Sequence, residues 1–304
     1  MNIEHAADVL RAGGLVVFPT ETVYGLGCDA SNATAVARLY EAKGRPRFNP
    51  LIAHVRGLEE ALRHAELHPT AIALAERFWP GPLTLVATRR LDSSIAELSC
   101  AGLATVALRA PSHPVAQELI SALGQPIAAP SANRSGRVSA TTARHAADDF
   151  GDAIDLILDA GPSDMGLEST IVAIAADGAG TLLRAGALAR ERIEALTGAL
   201  ATPAATGVTA PGMLASHYAP HARLRLDAEQ PEPGEVYLAF GEAAPPRGLT
   251  LSRYGDLVEA AANLYAHLRT LDATGADVIA VAPIPGDGLG EAIRDRLARA
   301  AAPR

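Results

Sequence analysis

This sequence contains few cysteines and few aromatic residues, and its net charge is negative. Its only cysteines, Cys28 and Cys100, lie far apart and outside any C-x-x-C pair, which argues against a disulfide framework and against a thiolate zinc site. The formal net charge of -8 argues against broad contact with nucleic-acid phosphates, although it leaves room for a local basic patch.

Long apolar runs are also missing. No segment approaches the length needed to span a bilayer, and the N-terminal MNIEHAADVLRAGG lacks the basic start and long apolar centre of a signal peptide. That segment instead predicts a short amphipathic helix closed by glycine. We therefore expect a soluble, cytoplasmic protein without a membrane partner.

Several common catalytic signatures are absent as well. The sequence contains no G-x-x-x-x-G-K-[ST], no H-E-x-x-H and no G-x-S-x-G, and GDGLG at 286–290 does not fit G-x-G-x-x-G. A Walker-type ATPase is therefore excluded. Any anion site in this chain must be built without the common phosphate-binding loop.

What the sequence does contain is an alternation of short apolar runs and helical patterns as far as Leu196. Strands are predicted at Leu15–Phe18, Leu51–Val55, Leu83–Ala87, Thr105–Arg109, Ile127–Ala129, Leu156–Leu158, Ser169–Ile174 and Thr181–Arg184. Helices are predicted at Ala33–Lys43, Thr70–Phe78, Val115–Leu123, Thr141–Phe150 and Ala189–Leu196. Strands and helices intermixed in this way predict one α/β domain with a twisted mixed sheet.

The amino-acid composition changes after Thr197. The run ATPAATGVTAPGMLASHYAPHAR, which ends at residue 223, is rich in small residues and proline and predicts a linker longer than ordinary loops. A strand, helix, strand, helix pattern follows at Glu235–Phe240, Gly255–Leu271, Asp277–Ala282 and Gly290–Ala301. We therefore predict a catalytic domain over 1–198, a linker over 199–223 and a small α/β domain over 224–304.

Polar residues gather at the ends of two early strands. PTETVYGLG (19–27) follows the first strand and predicts either a strand-to-strand turn or a substrate pocket at the strand's carboxyl end. KGRPRFNPLIAHV places Lys43, Arg45 and Arg47 in a loop that two prolines keep out of helix. Such cations suit phosphate or carboxylate groups, and the alternative is a solvated loop rim.

Later segments add further candidates. TVALRAP ends at Arg109, which is either a ligand contact or a surface charge, and His54 taken alone fits a satisfied histidine in a strand. IAAPSANRSGRVSATT carries hydroxyls and an amide before a helix start, where they bind anions or serve as turn formers and N-caps. LESTIV and LLRAG add Ser169 and Arg184. HYAPHA places Tyr218 in the linker, where no core partner is evident.

These motifs, taken together and in order, resemble the threonylcarbamoyl-AMP synthases in their long, two-domain form. The resemblance is carried by PTETVYGLG, KGRPRFNPLI, FWPGPLT, VALRAPSHP, PIAAPSANRSG, GLESTIV and APGMLASHYAPHA. It implies a YrdC-type α/β domain with a concave positive cavity and a Rossmann-like C-terminal domain. It also implies that L-threonine, bicarbonate or carbon dioxide, and ATP become threonylcarbamoyl-AMP and pyrophosphate. A downstream transferase would then use the product to modify tRNA beside the anticodon.

The resemblance also implies roles for individual residues. The positions matching threonine contacts are Thr22, His54, Arg109, Ala129 and Ser169. The positions matching nucleotide contacts are Arg45, Asn49, Thr105, Ser131, Asn133, Ser139, Arg184 and Tyr218. Lys43, Arg45 and Arg109 are expected to be the catalytic cations. No protein metal site is expected, because Mg²⁺ would be carried mainly by the ATP phosphates.

Two alternative functions are weighed against this resemblance. Related carbamoyl-adenylate chemistry occurs in hydrogenase-maturation carbamoyltransferases, but their zinc-finger and acylphosphatase modules are missing here. An RNA-binding module using the basic concave face is disfavoured by the net charge and the lack of an aromatic-rich basic strip, so no strong direct nucleic-acid binding is expected.

The linker segment Ala210–His221 is predicted to close over the nucleotide as a lid, with Tyr218 against the nucleotide end.

Overall fold

The computed structural model describes residues 2–203, 210–211 and 216–303. The helices of these residues are α1 (Ile3–Arg11), α2 (Ala33–Lys43), α3 (Leu58–Ala61), α4 (Pro69–Phe78), α5 (Pro114–Leu123), α6 (Ala143–Phe150), α7 (Arg190–Thr197), α8 (Leu257–Asp272) and α9 (Leu289–Ala301). The strands are β1 (Val16–Phe18), β2 (Gly25–Asp29), β3 (Ile52–His54), β4 (Ala65–Glu66), β5 (Leu83–Arg89), β6 (Thr105–Arg109), β7 (Ile127–Ala128), β8 (Leu156–Ile157), β9 (Thr170–Ile174), β10 (Gly180–Arg184), β11 (Arg223–Arg225), β12 (Val236–Ala239), β13 (Gly248–Thr250) and β14 (Val278–Val281).

The first ten strands form one mixed sheet. Its strand order is β10-β9-β5-β6-β3-β7-β2-β1-β8, and β4 pairs with β5. Parallel pairs such as β3 with β6 occur beside antiparallel pairs such as β3 with β7. The predicted mixed α/β sheet is therefore confirmed.

Helices cover both faces of this sheet. Val16 and Phe18 of β1 pack in a cluster with residues of α1 and α5, whereas Val17 between them packs with residues of α2 and α6. Successive side chains of a strand point to opposite faces, so this alternation places the two helix pairs on opposite sides. The early strands are apolar throughout because both of their faces are covered.

The sequence pattern missed β2. Two glycines and an aspartate weaken the strand signal in Gly25–Asp29, yet close packing requires at least one of those glycines. A Cβ on Gly27 would lie 2.8 Å from a Phe18 ring carbon and 2.9 Å from Ile127 Cγ2. The strand pairs antiparallel with β1, so the chain reverses direction through residues 19–24.

A second, smaller sheet lies in the C-terminal part of the chain. Its four strands have the order β11-β14-β12-β13, and each neighbouring pair is parallel. The predicted Rossmann-like α/β character is confirmed. The short strand β13 was not predicted, because Gly248–Thr250 offers too few apolar residues for a strand pattern.

The two sheets belong to units that share an apolar interface. Val23, Val138 and Leu167 of the first unit lie in one buried cluster with Tyr265 of α8 and residues of the second sheet. Gly166 approaches α8 so closely that a Cβ there would lie 2.3 Å from the Ala261 carbonyl oxygen. The predicted linker, 199–223, runs between the units, and its residues 204–209 and 212–215 lie outside the described part of the chain.

Candidate active site

A small buried cavity lies at the strand ends of the large sheet. It has a volume of about 50 Å³ and is bordered by the residues that follow β1 and β7, the last residues of β3, β6 and β10, and the segment before β9. The linker completes the wall with Pro211, His217 and Tyr218. Most of the lining residues lie at or near the carboxyl ends of strands, where α/β sheets commonly bind ligands.

The structure brings many of the predicted site residues together and leaves others outside the cavity wall. The predicted residues that line it are Thr22, Arg45, His54, Arg109, Ala129, Ser131, Ser169, Arg184 and Tyr218. The predicted residues that do not line it are Lys43, Asn49, Thr105, Asn133 and Ser139. Polar residues that line it without having been predicted are Thr20, Glu168 and His217.

The segment after β1 is both a turn and part of the pocket. Thr20 Oγ1 accepts hydrogen bonds from the backbone N–H groups of Thr22 (3.2 Å) and Val23 (3.3 Å), which closes the turn. The same hydroxyl donates to the Val23 carbonyl oxygen at 2.6 Å. Thr20 and Thr22 both line the cavity, so the two sequence interpretations describe one segment.

Arg109 is held by a buried carboxylate. Its Nη2 lies 2.6 Å from Glu21 Oε1, and the two side chains are only 4% and 6% exposed. Ser112 N–H donates to Glu21 Oε2 at 3.0 Å. Burial alone raises the pKa of Glu21, but the charge of Arg109 and the hydrogen bonds to the carboxylate lower it overall. Sequence reasoning missed this role because a glutamate in a turn ordinarily faces solvent.

The three cations of KGRPRF occupy different environments. Arg45 lines the cavity, with Nε donating to the Asn49 carbonyl oxygen at 3.0 Å and Nη2 donating to Asn49 Oδ1 at 2.8 Å. Lys43 Nζ instead donates to the carbonyl oxygens of Ser131 (2.6 Å) and Asn133 (2.5 Å) behind the wall. Burial, and then the charge of Arg45, places the pKa of Lys43 well below its ordinary value. Arg47 is exposed. Only Arg45 of the three faces the cavity.

Arg184 joins the sheet to the linker. Its Nε and Nη2 donate to the Ser169 carbonyl oxygen at 3.1 and 2.8 Å, and its Nη1 donates to the Pro211 carbonyl oxygen at 3.3 Å. The hydroxyl of Ser169 lies 2.7 Å from Thr84 Oγ1. Arg184 therefore fixes the position of the wall on two sides.

A buried cluster surrounds Glu168. Its carboxylate accepts hydrogen bonds from Ser139 Oγ (2.5 Å), Tyr265 Oη (2.8 and 3.1 Å) and Arg296 Nε (2.8 Å). Burial raises the pKa of Glu168, but the charges of Arg296 and Arg184 and these hydrogen bonds lower it to about 2. Ser139, predicted as a nucleotide contact, thus binds a carboxylate here.

The remaining predicted residues outside the wall have structural contacts of their own. Asn133 Nδ2 donates to the carbonyl oxygens of Arg134 and Arg137, both at 2.8 Å, which closes the loop after β7. Asn49 accepts from Arg45, as described above. Thr105 begins β6, at the end of that strand opposite Arg109. Their nucleotide contacts stay predictions.

Two buried histidines line the cavity with an unpartnered nitrogen. Within the described residues, Nδ1 of His54 and Nδ1 of His217 have no hydrogen-bond partner. His54 is thus a buried strand histidine that keeps one ring nitrogen without a partner. Burial, and then the charge of Arg109 at His54 and of Lys43 at His217, lowers each pKa to about 3. Both imidazoles are neutral at pH 7.

Tyr218 also corrects an expectation. The sequence offered it no core partner, but its side chain is 1% exposed and its ring lies 5.8 Å from that of Tyr265. The guanidinium carbon of Arg296 lies 5.0 Å from the centre of the Tyr218 ring. Both partners belong to the second unit, which is why no neighbouring motif revealed them.

Acidification is expected to destabilise the fold through these histidines. The pKa of each is depressed in the folded state, so the unfolded chain binds more protons between about pH 6.5 and pH 3 and stability falls as pH falls through that window. Each should cost about 2 kcal/mol of unfolding free energy between pH 7 and pH 5. Urea unfolding at both pH values should show a smaller loss in His217→Gln than in the wild type. The exposed His5→Gln is the control, and an equal loss in all three proteins would contradict the assignment.

The described residues contain neither a metal cage nor a membrane helix. No group of three or more His, Cys, Asp or Glu side chains there is arranged to hold a metal ion. No helix there combines the length and apolarity that crossing a bilayer requires.

A cavity with three arginines at the strand ends of an α/β sheet is typical of enzyme domains that bind small anionic ligands. The family model described as "Telomere recombination" matches residues 8–186, and that described as "Threonylcarbamoyl-AMP synthase, C-terminal domain" matches residues 188–302. The chain belongs to the threonylcarbamoyl-AMP synthase family and is an enzyme of the nucleotidyltransferase type.

Individual relatives agree with this assignment over the whole chain. Threonylcarbamoyl-AMP synthase of Pyrococcus abyssi is 41% identical, with 98% of this chain and 93% of the relative covered. That of Bacillus subtilis is 39% identical, with 99% and 93% covered. The crystal structure of P. abyssi Sua5 complexed with L-threonine matches with a TM-score of 0.91 at 39% identity, covering 98% of this chain and 94% of that one.

Proposed function

We propose that the cavity is the site where this enzyme makes threonylcarbamoyl-AMP from L-threonine, bicarbonate or carbon dioxide, and ATP. The observation that carries the proposal is the convergence of Arg45, Arg109 and Arg184 on one buried space. The threonine carboxylate, the carbamate and the ATP phosphates are all anions, and cations stabilise them strongly where water is excluded. A P. abyssi relative has been crystallised with L-threonine.

The wall divides into a threonine side and a nucleotide side. Threonine would contact Thr22 after β1, His54 and Arg109 at the ends of β3 and β6, Ala129 after β7 and Ser169 before β9. The nucleotide would lie towards Arg45, Ser131, Arg184 and Tyr218. The cavity contains no evident nucleophile, so catalysis would rest on aligning the carbamate oxygen with the α-phosphorus and on stabilising the charge that develops there.

Mg²⁺ would arrive with ATP and reduce the repulsion between its phosphates. Both carboxylates near the cavity, Glu21 and Glu168, are engaged by arginines at 2.6 and 2.8 Å. Because both carboxylates already bind arginines, the site suits a metal ion that is held mainly by phosphate oxygens better than one that is held by protein ligands.

Pyrophosphate release tests the proposed reaction. With ATP and bicarbonate present, release should depend on L-threonine and fall sharply when serine replaces threonine or when no amino acid is added. The Thr22→Val variant keeps the shape of the side chain and should weaken the response to threonine. Release that does not depend on threonine would refute the proposed reaction.

The wider setting of the reaction follows from its product. Threonylcarbamoyl-AMP would feed a transferase that modifies tRNA beside the anticodon, in the cytoplasm. The RNA-binding alternative receives no support from a cavity of about 50 Å³, which is too enclosed for a strand of RNA. A filter-binding titration with tRNA across salt concentrations would detect such binding.

We also propose that the linker acts as a lid. A bound nucleotide needs several hundred cubic ångströms, roughly 300 or more, so the wall must move to admit ATP. Ala210 is fully buried beside Ile52 and Ile171, and Pro211 accepts from Arg184. These contacts hold Ala210 and Pro211 against the large sheet and support the proposal for the start of the segment Ala210–His221. Residues 212–215 of that segment lie outside the described residues.

Limited proteolysis of the whole chain tests the lid. ATP and threonine together should slow cleavage within residues 199–223 several-fold, whereas either ligand alone should protect less. The segment Ala228–Gly234 is an internal control, since it lies away from the cavity. Equal cleavage rates with and without ligands would leave a passive tether as the better description.

A further inference from the structure

The second unit reaches the cavity wall through one carboxylate. Glu168 lines the cavity, and both of its oxygens are engaged by residues of the second unit. Tyr265 of α8 donates its hydroxyl to Oε2 at 2.8 Å and lies 3.1 Å from Oε1. Arg296 of α9 donates from Nε to Oε2 at 2.8 Å. Ser139 of the first unit also donates to Oε1, at 2.5 Å, so the orientation of Glu168 is set from both units.

Arg296 makes two further contacts, one on the wall and one beside it. Its Nη2 donates to the carbonyl oxygen of Ala185, the residue after Arg184, at 2.9 Å. Its guanidinium also lies over the ring of Tyr218, which lines the cavity. The Arg296 side chain is 1% exposed. The guanidinium thus contacts two wall residues, Glu168 and Tyr218, and the backbone beside the wall, while its Nη1 donates to Asp295 Oδ2 at 2.6 Å, so it is fixed in position.

Glu168 poses an electrostatic problem for a site that binds anions. A buried carboxylate beside a polyanionic ligand repels it strongly, because little solvent is present to screen the charges. Arg296 supplies the opposite charge from the side away from the cavity. Arg184 also lowers the pKa of Glu168, but less than Arg296 does, so Arg296 carries the larger share of the compensation and Arg45 and Arg184 can face the ligand.

We propose that Arg296 and Tyr265 are positioning residues for the synthesis of threonylcarbamoyl-AMP: they neutralise and orient Glu168 so that the cavity attracts the nucleotide. This inference rests on the proposed function. It gives α8 and α9 of the second unit a part in nucleotide affinity, with no contact between either residue and the substrates.

A simpler explanation is that Arg296 only joins the two units. The ion pair between Arg190 of α7 and Glu291 of α9 provides a matched control, because it also joins α9 to the first unit. Arg190 Nε lies 3.1 Å from Glu291 Oε2, the side chains are 25% and 33% exposed, and neither residue lines the cavity. Arg190→Met loosens the same interface without touching Glu168.

The experiment measures ATP affinity by calorimetry without threonine, so that it does not depend on turnover. Arg296→Met removes the guanidinium that forms an ion pair with Glu168 and should weaken ATP binding roughly tenfold or more. Adding Glu168→Gln to it should bring the affinity back to within roughly threefold of the Glu168→Gln single variant, because the charge that needed compensation is gone. Arg190→Met should bind ATP as the wild type does. In the turnover assay, KM for ATP should rise more than KM for threonine in Arg296→Met.

Each outcome decides the matter. Unchanged affinity in folded Arg296→Met, an equal loss in Arg190→Met, or no recovery in the double variant would overturn the inference. If Arg296→Met does not fold, Tyr265→Phe removes only one hydroxyl donor and should weaken binding roughly two- to fivefold, and unchanged affinity there would overturn it too. A wild-type protein that binds no ATP would instead refute the proposed function itself.

Discussion

Arg109→Met is expected to abolish most synthesis and also to destabilise the fold, and adding Glu21→Gln is expected to restore only the stability. Arg109 and Glu21 form a buried pair at 2.6 Å. Removing the cation leaves a buried, uncompensated carboxylate, which typically costs about 3–5 kcal/mol of unfolding free energy. Turnover should fall by an amount equivalent to about 2–4 kcal/mol of transition-state stabilisation.

The double variant separates the two effects. Glu21→Gln/Arg109→Met carries no buried charge at this position, so its urea midpoint should approach that of the wild type. Its pyrophosphate release should stay near that of Arg109→Met, because no cation faces the threonine carboxylate. Near-wild-type turnover in either folded variant would remove Arg109 from the site.

Arg45→Met should cost comparable activity with much less loss of stability. The hydrogen bonds described for Arg45 go to Asn49 and to the Pro50 carbonyl oxygen, so removing it leaves no buried carboxylate. The Asn49 carbonyl oxygen also keeps a donor, since Tyr40 Oη lies 2.9 Å away. We expect a loss of unfolding free energy of about 1–3 kcal/mol and a fall in kcat/KM of about 100-fold or more.

Arg47→Met is the matched control for Arg45→Met. Both arginines belong to the same proline-constrained loop, but Arg47 is exposed and does not line the cavity. Its loss should leave kcat/KM within about twofold of the wild type, since exposed charges contribute little. Equal losses in the two variants would mean that the net charge of the loop matters and that the placement of Arg45 in the wall does not.

The main elements of the fold were predictable because their signals are local. Runs such as Leu83–Ala87 and the strand that ends at Arg109 carry enough apolar residues to identify strands on their own. β2 and β13 were missed because each contains a glycine next to few apolar residues. At Gly27, packing against Phe18 outweighs the poor intrinsic preference of glycine for strands.

The site was predictable only in part because its wall is assembled from distant segments. Arg109 and Thr22 stand at strand ends, where position alone suggests a pocket. Glu168 could be interpreted only after α8 and α9 were placed, since Tyr265 and Arg296 lie far along the chain. Ser139 shows the converse: its motif suggests a ligand contact, but its hydroxyl binds Glu168 at 2.5 Å.

The interface between the units also affects the stability and activity expected of a shortened chain. A chain that ends after Leu200 keeps the ten strands of the large sheet but lacks the second unit. Such a chain would expose Val23, Val138 and Leu167, which lie in the shared apolar cluster. It would also remove Arg296 from Glu168. A loss of activity in the shortened chain would therefore not test the lid. Limited proteolysis of the whole chain avoids this problem.

The sharing of Glu168 between the units bears on synthesis at the ribosome, where the chain emerges from its N-terminus. The large sheet has all of its strands once β10, ending at Arg184, has been made. Arg296 belongs to α9, which is synthesised well after β10. Domains generally fold in the order in which they are synthesised. The sheet of a nascent chain can therefore form early, whereas the proposed nucleotide site acquires its charge balance only after α9 has been synthesised.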